Sequence, residues 1–139
     1  MKTLTLPAHL SSLKSIGQYI MAVCQEAGIS SKRAYKLRLS VDELVTNIIV
    51  HGCGNSGTES ILEIHAEIEP ENLKITIADT GLPYDPRERV FDESILSQPI
   101  EERPMGGLGV FLSLQSVDEF SYQTTEHKNI SSLWLRREQ

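Results

Sequence analysis

Cysteine is scarce in this 139-residue chain: there are two, Cys24 and Cys53. They lack the spacing of a metal-ligand pair, and a disulfide framework needs more of them, so they read as reduced thiols. Positive charge is also short, with 13 Lys and Arg against 19 Asp and Glu and a formal net charge of −6. Nucleic acid and anionic membrane surfaces both require clustered Lys and Arg, so neither is an expected partner. No apolar run approaches the roughly 20 residues of a membrane span. The opening Met1-Lys-Thr-Leu-Thr-Leu-Pro7 holds no apolar stretch of signal-peptide length, and a cytoplasmic location is the expectation. Internal repeats, low-complexity tracts and linker-like boundaries are absent. A hydrophobic fraction of 40% over 139 residues predicts one domain, 1–139, with a core of its own.

The periodicities supply the layout. Leu4 and Leu6 alternate with Thr3 and Thr5, a short strand that Pro7 ends. Between 10 and 27, Leu13, Ile16, Ile20, Val23 and Ala27 recur at helical spacing, and Gly28 stops the helix. Ser30 or Ser31 caps a second helix that runs to about His51. Leu62, Ile64, Ala66 and Ile68 alternate with polar residues, as do Leu73, Ile75 and Ile77, with Pro70–Asn72 as the turn between two strands. The Pro-rich, polar stretch 82–105 reads as a long functional loop of the lid kind. A helix is expected over 107–117, then a hairpin from Phe120–Tyr122 to Leu133–Leu135. Helices grouped on one face of a mostly antiparallel sheet with a wet far face make a two-layer α+β sandwich.

Three short motifs lie on these elements: Glu43-Leu-Val-Thr-Asn47, Asp79-Thr-Gly81 and Gly106-Gly107-Leu108-Gly109. On the second helix Leu37, Val41, Leu44, Val45 and Ile48 form the core stripe. Glu43 and Asn47 stack four apart beside it, with Ser40 and His51 alongside, on a line expected to be half buried. An asparagine oxygen suits magnesium, and a glutamate can take a proton from an attacking hydroxyl. The plainer alternative is a solvated helix face. Asp79 shares parity with Leu73, Ile75 and Ile77, so it points inward, where a carboxylate needs a donor such as an adenine amino group. Gly81 lets the backbone turn close to a flat ring. The alternative is an ordinary Asp-Thr-Gly turn. The glycines at 106–109 open a helix whose free amides favour phosphate, or else form a flexible loop; Arg103 just before them is a phosphate contact or a loop charge. The dinucleotide fingerprint fails because no strand precedes these glycines, and the phosphate-loop pattern fails because no Lys-Ser/Thr follows.

Together these motifs resemble the GHKL ATP-binding superfamily. Within it, Val41-Asp-Glu-Leu-Val-Thr-Asn-Ile-Ile-Val-His-Gly52, Ile77-Ala-Asp-Thr-Gly-Leu-Pro-Tyr-Asp-Pro86 and Gly107-Leu-Gly-Val-Phe-Leu112 resemble the boxes of the anti-sigma-factor serine kinases of the RsbW and SpoIIAB type. The resemblance runs nearly end to end and implies a Bergerat-type ATP-binding fold. It implies ATP and Mg2+ as ligands, Glu43 as general base and Asn47 as magnesium ligand. It implies Asp79 as partner of the adenine amino group and Gly81, Gly107 and Gly109 as residues that shape the pocket; Asn47, His51, Arg103, Leu108 and Ser131 complete the expected nucleotide contacts, His51 being otherwise a satisfied helix-end histidine. Ser131-Ser132 departs from the Gly-Thr pair that relatives often carry beside the adenine. The implied activity is protein serine/threonine phosphorylation in a partner switch, with a STAS-domain anti-anti-sigma protein as substrate, a competing sigma factor and a homodimeric state. Two rivals remain: a nucleotide-gated sequestering module without kinase activity, and the catalytic half of a two-component histidine kinase, for whose phosphoacceptor domain the chain has no room.

Overall fold

The structure is a computed structural model that describes residues 2–53, 60–81, 117–125 and 128–137, leaving aside the side chains of 51–53. The expected lid over 82–105, nearly all of the helix over 107–117, and with them Arg103, Gly107, Leu108 and Gly109, lie outside the described residues. Five strands are described: β1 (Leu4–Pro7), β2 (Ile61–Ile68), β3 (Asn72–Asp79), β4 (Glu119–Thr124) and β5 (Asn129–Arg136). They form one sheet in the order β1-β2-β3-β5-β4, and every neighbouring pair is antiparallel. Two helices, α1 (Leu13–Ala27) and α2 (Ser31–Asn47), supply the second layer. The α+β sandwich expected from the alternation is the one observed.

Parity decides which sheet face the helices cover. Leu62, Ile64 and Ala66 on β2, Leu73, Ile75 and Ile77 on β3, and Leu133 and Leu135 on β5 are buried in one cluster with Ile16, Ile20 and Val23 of α1 and Leu37, Val41 and Leu44 of α2. Each such aliphatic side chain contributes about 1.5–3 kcal/mol when removed from water. The opposite face carries Glu63, His65, Lys74 and Trp134, and the Lys74 ammonium lies 5.3 Å from the Trp134 ring centroid.

The helix ends are set locally. Gly28 takes φ 77°, a left-handed conformation costly for any residue with a Cβ, and the amide of Ile29 turns back to the Cys24 carbonyl at 2.9 Å. Ser30 is the N-cap of α2, its hydroxyl accepting from the Arg33 amide at 3.4 Å. Two boundaries differ from the periodic reading. Residues Leu10–Ser12 form a 3-10 turn ahead of α1, tied down by the Ser12 hydroxyl, which donates to the Pro7 carbonyl at 2.8 Å. Beyond Asn47 the chain does not continue as α-helix to His51; Ile48–Cys53 is a π-helical turn, a widening that recurs where a helix serves a site.

Two side chains tie elements together at the rim. Near the end of β1, the Ala66 amide donates to the Tyr19 hydroxyl at 3.1 Å, which ties α1 to β2. Arg137, just after β5, donates from Nε to the Ala27 carbonyl at 3.0 Å and from Nη1 to the Glu69 carbonyl at 2.9 Å. It thereby meets the C-terminal end of α1, where a cation also complements the helix dipole, and binds it to the β2–β3 turn. Arg137→Ala is expected to lower stability by about 1–2 kcal/mol, read from the urea midpoint, with Arg137→Lys recovering only part because it lacks the two-pronged donor. An unchanged midpoint in the alanine variant would remove Arg137 from this role.

Candidate functional site

The end of β3 is the least ordinary part of the sheet. Asp79 continues the inward row of Leu73, Ile75 and Ile77, and the same alternation that buries those three leaves it 3% exposed. A carboxylate so placed needs donors. Two reach the same oxygen: the Gly81 amide and the Asn129 side-chain amide each donate to Asp79 Oδ1 at 3.0 Å. Burial pushes the Asp79 carboxyl above the usual carboxylate range, and the Asn129 and Gly81 hydrogen bonds pull it part of the way back.

Asn129 faces Asp79 directly in the β3–β5 register and is itself 3% exposed. Its Nδ2 also donates to the Gly81 carbonyl at 2.8 Å, and its Oδ1 accepts from the Thr124 hydroxyl at 2.8 Å. Thr124, Asn129, Asp79 and Gly81 therefore form one network, buried at Asp79 and Asn129, that fixes the carboxylate by one oxygen. Asn129 was invisible to motif reading because it closes a polar turn. The available signal was parity, since it shares a face with Ser131, Leu133 and Leu135. One row further along β5, Ser131 stands opposite Ile77 and is fully buried, and its hydroxyl has no hydrogen-bond partner. An orphaned buried hydroxyl costs about 1–3 kcal/mol, a cost that a ligand with a polar edge would relieve.

The second group of residues lies on α2. Asn47 is 4% exposed, and its Nδ2 donates to the Glu43 carbonyl at 2.8 Å and to Glu43 Oε2 at 3.3 Å. Those two acceptors dictate the amide's orientation and turn Oδ1, the atom a hard cation would take, away from Glu43. Glu43 is exposed, Ser40 is buried and donates to the Lys36 carbonyl at 3.0 Å, so the expected half-buried line is instead split residue by residue. The neighbouring acid does not compete with Glu43 for solvent. Asp42 is part buried, its carboxyl is raised by burial with the Arg38 charge opposing, and its Oδ1 is enclosed without a partner. His51 falls in the π-helical turn, and its side chain lies outside the described residues. Among the described residues no cluster of three His, Cys, Asp or Glu side chains could hold a metal. A metal at α2 would therefore draw on Asn47, water and the ligand's own oxygens rather than on a protein cage.

With the buried carboxylate at the end of β3 and the Glu43–Asn47 pair on α2 described, sequence comparison gives the family. The model of the histidine kinase-like ATPase domain matches residues 6–135. The chain belongs to that family. Nucleotide use goes with an ATPase domain of this kind. Among its relatives, the serine-protein kinase RsbW of Staphylococcus aureus strains MSSA476 and JH9 is 26% identical over 137 residues, spanning 96% of this chain and 86% of the relative. In fold it is similar to the histidine kinase domain of the blue-light activated histidine kinase from Erythrobacter litoralis EL346, with a TM-score of 0.53 and 17% identity over 94% of this chain. The chain spans 61% of that structure's length.

Family membership makes the cost carried by Asp79 measurable. Because its folded pKa is raised, the folded state holds the proton more tightly than the unfolded chain does. The stability it contributes is fully present below the ordinary carboxylate pKa and is lost as pH rises through the raised value. Asp79→Asn keeps the acceptor for Gly81 and Asn129 and removes the charge. At neutral pH the nucleotide-free variant is expected to be at least as stable as the wild type in urea unfolding, with the gap closing as pH falls into the carboxylate range. A variant clearly less stable at neutral pH would show that the charge itself holds the fold together.

Proposed function

We propose that the protein is an ATP-dependent protein serine/threonine kinase acting as an anti-sigma factor in a partner switch, with a STAS-domain anti-anti-sigma protein as phosphoacceptor. The reading rests on one observation above all: in an ATPase-family chain, a buried carboxylate is held by one oxygen, leaving Asp79 to receive the amino group of adenine. Likeness to the serine-protein kinase RsbW across nearly the whole chain supports the choice of a protein hydroxyl as acceptor. The sigma factor that competes for the kinase, a homodimeric state and a cytoplasmic location belong to the same proposal.

In this reading Asp79 and Ser131 recognise the base, and Gly81 keeps the backbone close to it. Arg103, Gly107, Leu108 and Gly109 would approach the phosphates, and His51 the rim of the pocket. Asn47 would hold magnesium through Oδ1, and the ion would neutralise charge on the phosphate oxygens. Glu43 takes the proton from the incoming Ser or Thr hydroxyl as the oxygen of that hydroxyl bonds to the γ-phosphorus. The bond from that phosphorus to the bridging oxygen breaks, and ADP leaves. The protein contributes mainly position and charge complementarity.

Glu43→Gln tests the chemistry apart from binding, because it keeps the shape and removes the proton acceptor. ATP affinity by isothermal titration should stay nearly unchanged, while phosphotransfer to the STAS protein falls about 10²-fold or more. Asn47→Ala, or omission of magnesium, should weaken ATP binding itself. Lost ATP binding with transfer intact in Glu43→Gln would move Glu43 to the metal shell. Tight ATP binding without transfer by the wild type to any STAS protein of the same genome would favour a nucleotide-gated sequestering module instead.

A further inference from the structure

The exposed face of α2 is built against the interests of the helix. Lys32 and Arg33 stand in its first turn, where no acidic residue is present and where the helix dipole disfavours cations. Arg33 is used in the fold, donating from Nη2 to the Arg136 carbonyl at 2.7 Å. Lys32 and Lys36 are not: both are exposed, and among the described residues neither makes an ion pair. In a chain with a net charge of −6, two unpaired lysines one turn apart are a local reversal of sign.

Large apolar side chains share this face. Tyr35 is 57% exposed and Leu39 47% exposed, and Val50 extends the apolar surface past Asn47. At about 100° per residue, Lys32, Lys36 and Leu39 fall within about 40° of Glu43, with Tyr35 at the margin. The candidate base is itself exposed, on the same side of the helix as this stripe and just beyond its C-terminal end. A protein hydroxyl delivered to Glu43 has to bring its own surface across these residues.

We infer that the exposed face of α2, with Lys32, Tyr35, Lys36 and Leu39 at its centre, is the docking surface for the phosphoacceptor protein, and that the acceptor meets it with an acidic surface bearing apolar side chains beside the phosphorylated Ser or Thr. Charge complementarity selects this occupant: an acidic partner finds counter-charges at Lys32 and Lys36 on a chain that is net negative. The inference rests on the kinase reading above, since it takes Glu43 as the point to which the acceptor is brought.

The test uses the full-length protein and each STAS protein of the same genome as acceptor. The double substitution Lys32→Glu with Lys36→Glu, and separately Tyr35→Ala with Leu39→Ala, change exposed positions that accept these residues in a helix. Each pair is expected to raise the KM for the acceptor about tenfold or more while leaving kcat at saturating acceptor and ATP affinity unchanged. Lys14→Glu, an exposed charge reversal on α1, controls for general electrostatics and should leave KM near the wild-type value. Unchanged KM in both α2 variants, or an equal rise in Lys14→Glu, overturns the docking face and leaves the kinase reading standing. Failure of the wild type to phosphorylate any of these acceptors overturns the kinase reading and the docking face together.

Discussion

An antiparallel sheet with one apolar face has to be covered on that face, and everything else here follows from the covering. Strand parity sends Leu73, Ile75 and Ile77 beneath the helices, and it cannot make an exception for the next inward position. Asp79 is carried into the same layer, as are Asn129 and Ser131 on β5. Sheet geometry thus delivers polar groups to the place where water is excluded, and antiparallel pairing brings Asn129 opposite Asp79 across fifty positions of sequence. The site is an extension of the core, built from the same alternation with different side chains.

That origin explains what sequence could and could not disclose. The stop at Gly28, the cap at Ser30 and the alternation on β2 and β3 are local, and each is written in a few consecutive residues. The inward direction of Asp79 follows from parity and needs no knowledge of its partner. Asn129 is different, because its meaning depends on a register pairing that no short window contains. Periodicity also yields an angle around a helix and nothing about position along it. Glu43 and Asn47 share an angle, yet one is exposed and the other buried, because the cover changes along the axis of α2. The π-helical turn after Asn47 was unreadable for a related reason: its residues fit an α-helical pattern well enough that only the observed backbone separates the two.

The electrostatics divide the two acids by environment rather than by type. Asp79 is enclosed, and burial raises its carboxyl while the Asn129 and Gly81 donors oppose that rise. Glu43 faces solvent and holds the Asn47 amide by its backbone and carboxylate oxygens. An enclosed carboxylate suits recognition, because a fixed acceptor in a dry site discriminates strongly among the edges of bases. A carboxylate open to solvent suits proton transfer, because it can reach an incoming hydroxyl and later lose the proton to water. In the kinase proposed above, two groups of one chemical kind would take these separate tasks.

Local stability is given up repeatedly around this one layer. Asp79 is a buried carboxyl raised by desolvation, Ser131 has a hydroxyl without a partner, α2 carries cations against its dipole, and Tyr35 and Leu39 stand in water. Each choice is unfavourable for a chain that only has to fold. The first two lie on the inward row of the sheet, and the other two on the exposed face of the helix packed over that sheet. In the kinase proposed above, a polar ligand would relieve the enclosed groups and an acidic acceptor the exposed stripe. The same layer that holds the fold together is therefore where the fold is least optimised for itself.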